Sequence, residues 1–395
     1  MKLAIIRQRY TPFGGAERFI ENALQALRQQ GGLEVTVITR EWHAITPPRT
    51  LGEGLGERAL ARPQIVICNP FHLGRVWRQW AFSRAACKAV ADGNYDLVQS
   101  HERLSCCDIF RAGDGVHREW LRQRDRILSP WRRWLTRLSP FHQLGLWQER
   151  RMFASPRLKV VIANSEGVKA DIMRHYPQTQ ARIEVIYNGV DLARFHPDLK
   201  AEFRQTQREK LGIAPDAPVL LFVGSGFERK GLATAIRALS PRPPGEGSGE
   251  RVSVAHLVVV GKDRQQRRYQ KLALRLGIAD RVHFAGPQPD VRPYYGMADL
   301  FVFPSLYDPF PNAVLEAMAC GLPVIVSNTC GSADFMQGQA LDALDVEGWS
   351  KAIAAALESG QRAEMADKSR RIAESLSLEH MASRMAALYM SCNNG

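Results

Sequence analysis

Short β-branched runs followed by helix-length amphipathic segments recur along the chain, beginning with strand-like residues 3–6, helix-like residues 15–29 and strand-like residues 34–39. That alternation predicts a parallel sheet with helices on both faces. Further strands are predicted at residues 64–68, 97–100 and 159–164, and in the second half at 218–224, 256–261, 282–285, 300–304 and 323–327. Two doubly wound α/β domains result. After a strand at 183–187, the turn-rich Asn188-Gly189-Val190-Asp191 and His196-Pro197 suit a hinge, so the boundary is placed near residue 190. Residues 241–250, a Pro/Gly-rich insertion, cannot build a core and read as a surface loop.

With 395 residues, of which 45% are hydrophobic and 24% charged, wholesale disorder and fibrous repeats are excluded and two cores are affordable. No apolar run approaches the roughly 18 residues of a membrane span. Met1-Lys2-Leu3 leads straight into a strand rather than a secretory leader, so a cytoplasmic location is expected. The seven cysteines, scattered apart from Cys106-Cys107, fit neither a disulfide framework nor a metal site and read as reduced thiols, mostly buried. Charge is uneven: residues 1–190 hold 29 Lys/Arg against 17 Asp/Glu, whereas the remainder holds 24 against 23. A basic half suggests an anionic partner, either nucleic acid or a phosphate-rich membrane surface, although it can also serve solubility alone.

Three motifs carry candidate chemistry. In Thr11-Pro12-Phe13-Gly14-Gly15-Ala16-Glu17-Arg18, glycines between strand and helix allow close approach of backbone to a ligand, or simply make a tight turn. In Phe222-Val223-Gly224-Ser225-Gly226-Phe227-Glu228-Arg229-Lys230-Gly231, adjacent cations stand at the carboxyl edge of a strand, where a diphosphate would lie; a solvated basic turn is the plainer reading. The chain holds no Asp-x-Asp motif to chelate a nucleotide-bound metal, so these cations would stabilise a leaving diphosphate alone. The third motif places Asp308 in a loop and Glu316 eight residues later, in a helix beginning near Asn312. Asp308 suits sugar hydroxyls, and Glu316, with two acceptor oxygens, suits both hydroxyls of a ribose.

These segments, in this order, resemble the retaining glycosyltransferases of family 4, whose GT-B fold sets two Rossmann-like domains across a cleft. The opening YTPFGGAER and the FERKG turn most resemble the members that add glucose to the lipopolysaccharide core. The family's carboxylate pair is usually Glu-x7-Glu; here the first position is Asp308. The resemblance implies an acceptor-binding domain of residues 1–190, joined by a C-terminal helix of about 375–395, and a nucleotide-sugar-binding domain of 191–374. It implies donor contacts from Gly14, Gly15, Arg229, Lys230, Gly261, Asp308, Asn312 and Glu316, with backbone near residues 287–290 beside the base. Asp114 matches an acidic residue at the acceptor side and becomes the best catalytic candidate, together with Arg229, Lys230 and Asp308. His101 falls near a cleft histidine of many relatives; a capping or packing role is the alternative. The implied donor is a UDP-sugar, with no cofactor or metal, and the implied acceptor is lipopolysaccharide inner-core heptose. A polyprenyl-linked or exopolysaccharide glycan is an alternative acceptor. A binding protein that kept the fold without catalysis is the rival from another class.

Residues 117–151 contain nine arginines against three acids, and Trp120, Trp131, Trp134 and Trp147. Trp131, Trp134, Leu135 and Leu138 fall at i, i+3, i+4 and i+7 with Arg132, Arg133 and Arg137 beside them. This pattern suits the anionic cytoplasmic face of the inner membrane, or else a helix whose tryptophans face the core. Stacking on nucleic acid is not expected, because no nucleic-acid-binding motif accompanies the segment.

Overall fold

Along β1 (Lys2–Tyr10), Leu3 and Ile5 enter one apolar cluster while Ala4 and Ile6 enter another. A strand buried on both faces belongs inside a sheet covered on both sides. The computed structural model describes residues 1–10, 34–42, 64–240, 252, 254–336 and 338–393. Gly14, Gly15, the helix expected at 15–29 and the insertion at 241–250 lie outside the described residues. The first sheet has the order β3-β2-β1-β4-β5-β6-β7 and is wholly parallel, its other strands being β2 (Glu34–Trp42), β3 (Gln64–Ile67), β4 (Leu97–Ser100), β5 (Ile109–Arg111), β6 (Val160–Ala163) and β7 (Arg182–Val185). Strand β5 is absent from the sequence expectation, because three residues are too few to show a period.

The second half repeats the logic. In β8 (Val219–Val223), Val219, Leu221 and Val223 face one cluster and Leu220 and Phe222 the other. Its parallel sheet runs β10-β9-β8-β11-β12, with β9 (His256–Val260), β10 (Val282–Gly286), β11 (Leu300–Phe303) and β12 (Val324–Val326). In each sheet the strand order reverses beside a central strand, between β1 and β4 and between β8 and β11. Ligand crevices of open parallel sheets form at such points, beyond the carboxyl ends of the strands.

The first half contains α1 (Gly74–Asp92), α2 (His117–Asp125), α3 (Pro130–Leu138), α4 (Pro140–Phe153) and α5 (Glu166–His175). The second half contains α6 (Leu199–Lys210), α7 (Leu232–Ala238), α8 (Gln266–Arg275), α9 (Arg292–Met297), α10 (Asn312–Ala319), α11 (Val346–Leu357) and α12 (Ser359–Ser375). The last helix, α13 (Leu378–Asn393), returns to the first sheet, where Met381, Met385 and Tyr389 pack with Leu3, Ile5 and Leu97. There the Tyr389 hydroxyl donates to Gln99 Oε1 at 2.6 Å. The two crossings between halves touch: Val190 N–H donates to the Leu376 carbonyl at 3.0 Å and Leu378 N–H to the Val190 carbonyl at 3.2 Å.

The expectation of reduced cysteines is corrected at one pair. Cys87, on α1, is disulfide-bonded to Cys106 with Cα atoms 5.7 Å apart. The fold brings that helix onto the loop after β4, a meeting that the spacing of the two residues does not announce. The thiols of Cys107, Cys320 and Cys330 are buried. Among the described residues no helix is long and apolar enough to cross a membrane.

Candidate active site

The turn between β8 and α7 is held by its neighbours. Phe227 N–H donates to Asp263 Oδ2 at 2.8 Å, and Leu306 N–H donates to the Arg229 carbonyl at 2.8 Å. Gly224 and Gly261 have φ of 154° and 140°, and a Cβ on Gly261 would lie 2.1 Å from the Gly224 carbonyl oxygen. Only glycine permits that approach. A Cβ on Gly224 would in turn strike Lys230 Cδ at 2.5 Å, so the bare backbone leaves Lys230 its path across the strand end.

Lys230 Nζ donates to Asp308 Oδ2 at 3.1 Å and sits 4.7 Å above the Phe303 ring. Arg229 Nη2 lies 3.8 Å from the same carboxylate oxygen. Asp308 is only 6% exposed, so both cations serve a buried counter-charge. On α10, Glu316 Oε2 accepts from the Tyr295 hydroxyl at 2.9 Å. Asn312 Oδ1 accepts from Asn188 Nδ2 at 2.8 Å, and Asn188 Oδ1 accepts from Arg111 Nη2 at 2.6 Å. This relay joins the first sheet, the hinge and α10.

Arg229, Lys230, Asp308, Asn312 and Glu316 form one wall of a cleft of about 790 Å³, with Gln288 and Pro289 at its side. Arg7, His101, Glu102, Arg111 and Asp114 form the facing wall, from the carboxyl ends of β1, β4 and β5. Gly261 supports the floor through Gly224. The Asp114 carboxylate is 70% exposed and 3.9 Å from Arg7. Glu102 accepts from Gln8 N–H at 3.0 Å, and burial pushes its carboxyl above the ordinary range. His101 accepts from Gln99 Nε2 at 3.0 Å; burial, helped by Arg111 and Arg7, holds its pKa well below the ordinary value, so its ring is neutral near pH 7. Among the described residues no group of three or more His, Cys, Asp or Glu is placed to hold a metal ion.

The halves also meet beside the cleft. Val116 N–H donates to the Tyr307 hydroxyl at 2.9 Å. Gly115, at φ 69°, makes room: a Cβ would fall 2.5 Å from that hydroxyl and 2.7 Å from Pro309 Cγ. Near the outer rim, Arg126 Nη2 donates to both oxygens of Asp342 at 2.8 Å, and Arg124 Nε reaches Glu228 at 3.4 Å.

Glu149, 1% exposed on α4, organises the start of α2. It accepts from His117 N–H at 2.8 Å, Arg118 N–H at 3.2 Å, Arg103 Nε at 2.9 Å and the Tyr176 hydroxyl at 2.7 Å. Burial raises its pKa, but the Arg103 charge and these donors outweigh burial and hold it below the ordinary value. Glu149→Ala therefore costs about 3–5 kcal/mol of stability by stranding Arg103 and two helix donors. In the parent, this contribution is complete above the unfolded carboxyl pKa of about 4.3 and disappears as pH falls through the lower folded value. Urea midpoints at pH 7 and pH 3 check both; a loss below about 1 kcal/mol at pH 7 counts against the assignment.

On α3 no residue is buried, and Trp131, Trp134, Leu135 and Leu138 are 60%, 61%, 49% and 55% exposed. The core-facing reading of these tryptophans is thereby excluded. Arg132 lies 5.2 Å over the Trp131 ring, Arg133 Nε donates to the Leu128 carbonyl at 2.9 Å, and Arg137 is 3.4 Å from Asp125. Trp120 departs from that face and lines a second cavity beside Asp114.

Residues 13–194 match the family model of Glycosyltransferase Family 4, and residues 203–373 match that of Glycosyl transferases group 1. D-inositol 3-phosphate glycosyltransferase 2 of Catenulispora acidiphila is 32% identical over 370 residues, spanning 84% of this chain and 79% of the relative. The chain is a family 4 glycosyltransferase. This glycosyltransferase is also 26% identical to the lipopolysaccharide glucosyltransferase WaaG of Escherichia coli over 339 residues, 85% of this chain and 83% of the relative. The crystal structure of a WaaG glycosyltransferase shares the GT-B fold, with a TM-score of 0.76 at 24% identity, covering 98% of this glycosyltransferase and 99% of that chain. Sequence reasoning thus reached the family, and the cations and carboxylates that it singled out in the second half share one cleft wall. It assigned no part in the site to Asn188, Tyr307 or Glu149, whose partners are remote in the chain.

Proposed function

We propose that this glycosyltransferase moves glucose from UDP-glucose to a heptose of the lipopolysaccharide inner core, with retention at the anomeric carbon and without a metal. The observation that carries the reading is the pairing of Arg229 and Lys230 on one wall with Asp114 on the other, across a cleft at both sheet switch points. The cations suit a diphosphate, Glu316 the ribose hydroxyls, Asp308 the donor sugar, and the backbone around Gln288 and Pro289 the base. Gly14 and Gly15 are assigned to the phosphates by resemblance. The WaaG relative is a lipopolysaccharide glucosyltransferase, and Anabaena HepE, a fold neighbour with a TM-score of 0.67, has been solved with UDP-glucose.

In the proposed step the acceptor hydroxyl attacks the face that the diphosphate leaves. The bond between the anomeric carbon and the phosphate oxygen breaks as the new glycosidic bond forms, and the departing phosphate oxygen takes the hydroxyl proton. Arg229 and Lys230 stabilise the charge on that oxygen, while Asp114 orients the acceptor.

Nucleotide release in excess EDTA, from a panel of UDP-, GDP- and ADP-sugars with and without heptose-terminated lipopolysaccharide, tests the reading. Release of UDP from UDP-glucose only with the acceptor is expected. Release from another donor, or release that requires a divalent metal, overturns the corresponding part.

The exposed Trp131, Trp134, Arg132 and Arg137, with the half-buried Arg133 beside them, support docking to the anionic cytoplasmic face of the inner membrane, with rings at headgroup level and guanidinium groups on lipid phosphates. Trp131→Ala with Trp134→Ala is expected to lower retention on vesicles containing anionic lipid by about tenfold at low salt. Equal sedimentation of variant and parent removes this face from the membrane assignment.

A further inference from the structure

A second cavity, of about 370 Å³, opens off the donor cleft and shares Gln8, Glu102, Asp114 and Arg229 with it. Whatever projects into it therefore reaches the point where the cations of one half face Asp114 of the other. One wall comes from the first turns of α1, with Arg75, Arg78 and Gln79; the other comes from α2 and α4, with His117, Trp120, Phe141 and His142.

The two histidines make that second wall flat and uncharged. Their rings stack with centroids 5.3 Å apart, and a hydrogen bond of 3.2 Å joins His142 Nδ1 to His117 Nε2. Burial, then Arg103, lowers His117 to about 4, and burial, then Arg124 and Arg75, lowers His142. With Trp120 beside them, they offer a sugar ring a flat face that carries no net charge near pH 7.

The α1 wall is the opposite in character. Arg78 stands among Arg9, Arg40 and Arg75, and the strongest counter-charge that it feels is Glu41. Glu41 is already engaged by Arg40 Nη2 at 2.6 Å and Arg9 Nε at 3.1 Å. Arg75 lies 5.3 Å over the Phe141 ring, across the cavity from its own helix. Arg9, Arg40 and Arg75 act on Arg78 against Glu41, and in the cavity lining Arg75, Arg78, Arg103 and Arg229 outnumber Glu102 and Asp114, so positive charge is in excess beside a pocket of sugar size and an anion entering there meets partners already in place.

We propose that this cavity is the acceptor subsite and that Arg75 and Arg78 bind an anionic group, a phosphate or a carboxylate, carried near the hydroxyl to be glycosylated. This rests on the transferase reading above and adds to it a charge requirement on the acceptor. Arg75 and Arg78 are positioning residues: they fix the acceptor through its charge and touch neither the donor nor the reacting atoms.

The test uses the full-length chain in two assays. In the first, kcat and KM for UDP release are measured with heptose-terminated core oligosaccharide that is intact, dephosphorylated or carboxyl-reduced. In the second, calorimetry measures binding of a hexose phosphate, a hexuronate and the uncharged hexose. Arg75→Gln with Arg78→Gln is expected to raise the acceptor KM by about 10- to 100-fold with the charged acceptor and to leave UDP affinity unchanged. Arg78→Lys, which keeps the charge, recovers part of the loss. Whichever of dephosphorylation or carboxyl reduction reproduces the defect in the parent identifies the anionic group. If the variant handles charged and neutral acceptors as the parent does, the inference falls while the transferase reading stands. If no acceptor turns over, yet the substitutions abolish binding of the hexose phosphate or hexuronate, the anion site stands and the acceptor assignment falls. Equal binding of charged and uncharged probes by the parent overturns the site in either case.

Discussion

Alanine at both Arg229 and Lys230 is expected, on the proposed mechanism, to lower kcat by about 10³- to 10⁵-fold, because each preorganised donor to a developing oxyanion is worth roughly 10²- to 10³-fold. The two losses combine less than fully, since both cations lie on one carboxylate oxygen of Asp308, at 3.8 and 3.1 Å. Losing one cation leaves the other free to shift toward the leaving group. The same arrangement complicates Lys230→Ala alone. It strips a buried Asp308 of its nearer partner, and breaking a buried pair from one side costs about 3–5 kcal/mol of stability. Asp308→Asn in the Lys230→Ala background is expected to restore the melting temperature without restoring turnover. Thermal melts together with initial rates at saturating concentrations of the proposed donor, UDP-glucose, make the separation. Near-parental turnover in the Arg229, Lys230 double variant would remove both cations from the mechanism.

Asp114→Asn is expected to reduce transfer by about 10²- to 10⁴-fold, the span attributed to a positioned acid–base group, while UDP affinity stays within about twofold. The expectation follows from placement. Asp114 borders both cavities from the wall opposite the cations, where an acceptor hydroxyl would enter. Single-turnover rates and a UDP titration report the two quantities. Parental transfer rates in the variant would pass the role to Glu102, which borders the same two cavities and whose carboxyl burial pushes upward. His101 is the weaker successor, since it is buried and already bonded to Gln99.

The parts of this molecule legible in its sequence are those whose information is local. The unbroken apolar runs of residues 3–6 in β1 and 219–223 in β8 report burial on both faces, because a strand packed from both sides leaves no polar position between its apolar ones. Arg229, Lys230, Asp308 and Glu316 were visible for a similar reason: each lies within a short strand-turn-helix motif that carries its own context. What stayed hidden depends on meetings between distant segments. Asn188 reads as an ordinary turn residue until the fold sets it against Asn312, 124 positions away, and Tyr307 reads as a loop aromatic until it meets Val116 across 191 positions. Helical periodicity placed Trp131 and Trp134 on one face yet could not say toward what. That depends on α3 standing clear of both sheets, with none of its residues buried. The Cys87–Cys106 disulfide belongs to the same class of unannounced contact.

The paired crossings at Val190 and residues 376–378 confine the two backbone connections between halves to one line. Sliding one half past the other would break both of those backbone bonds, whereas turning about the line preserves them. The motion left to the cleft is angular, and distance from that axis sets how far each contact must part. The exposed Arg126–Asp342 pair, with the half-buried Arg124–Glu228 pair beside it, stands at the rim as an ionic latch. Exposed pairs are weak and are screened within a Debye length of about 8 Å at physiological salt. Ionic strength therefore acts on the aperture of the cleft itself, separately from its effect on any charged substrate.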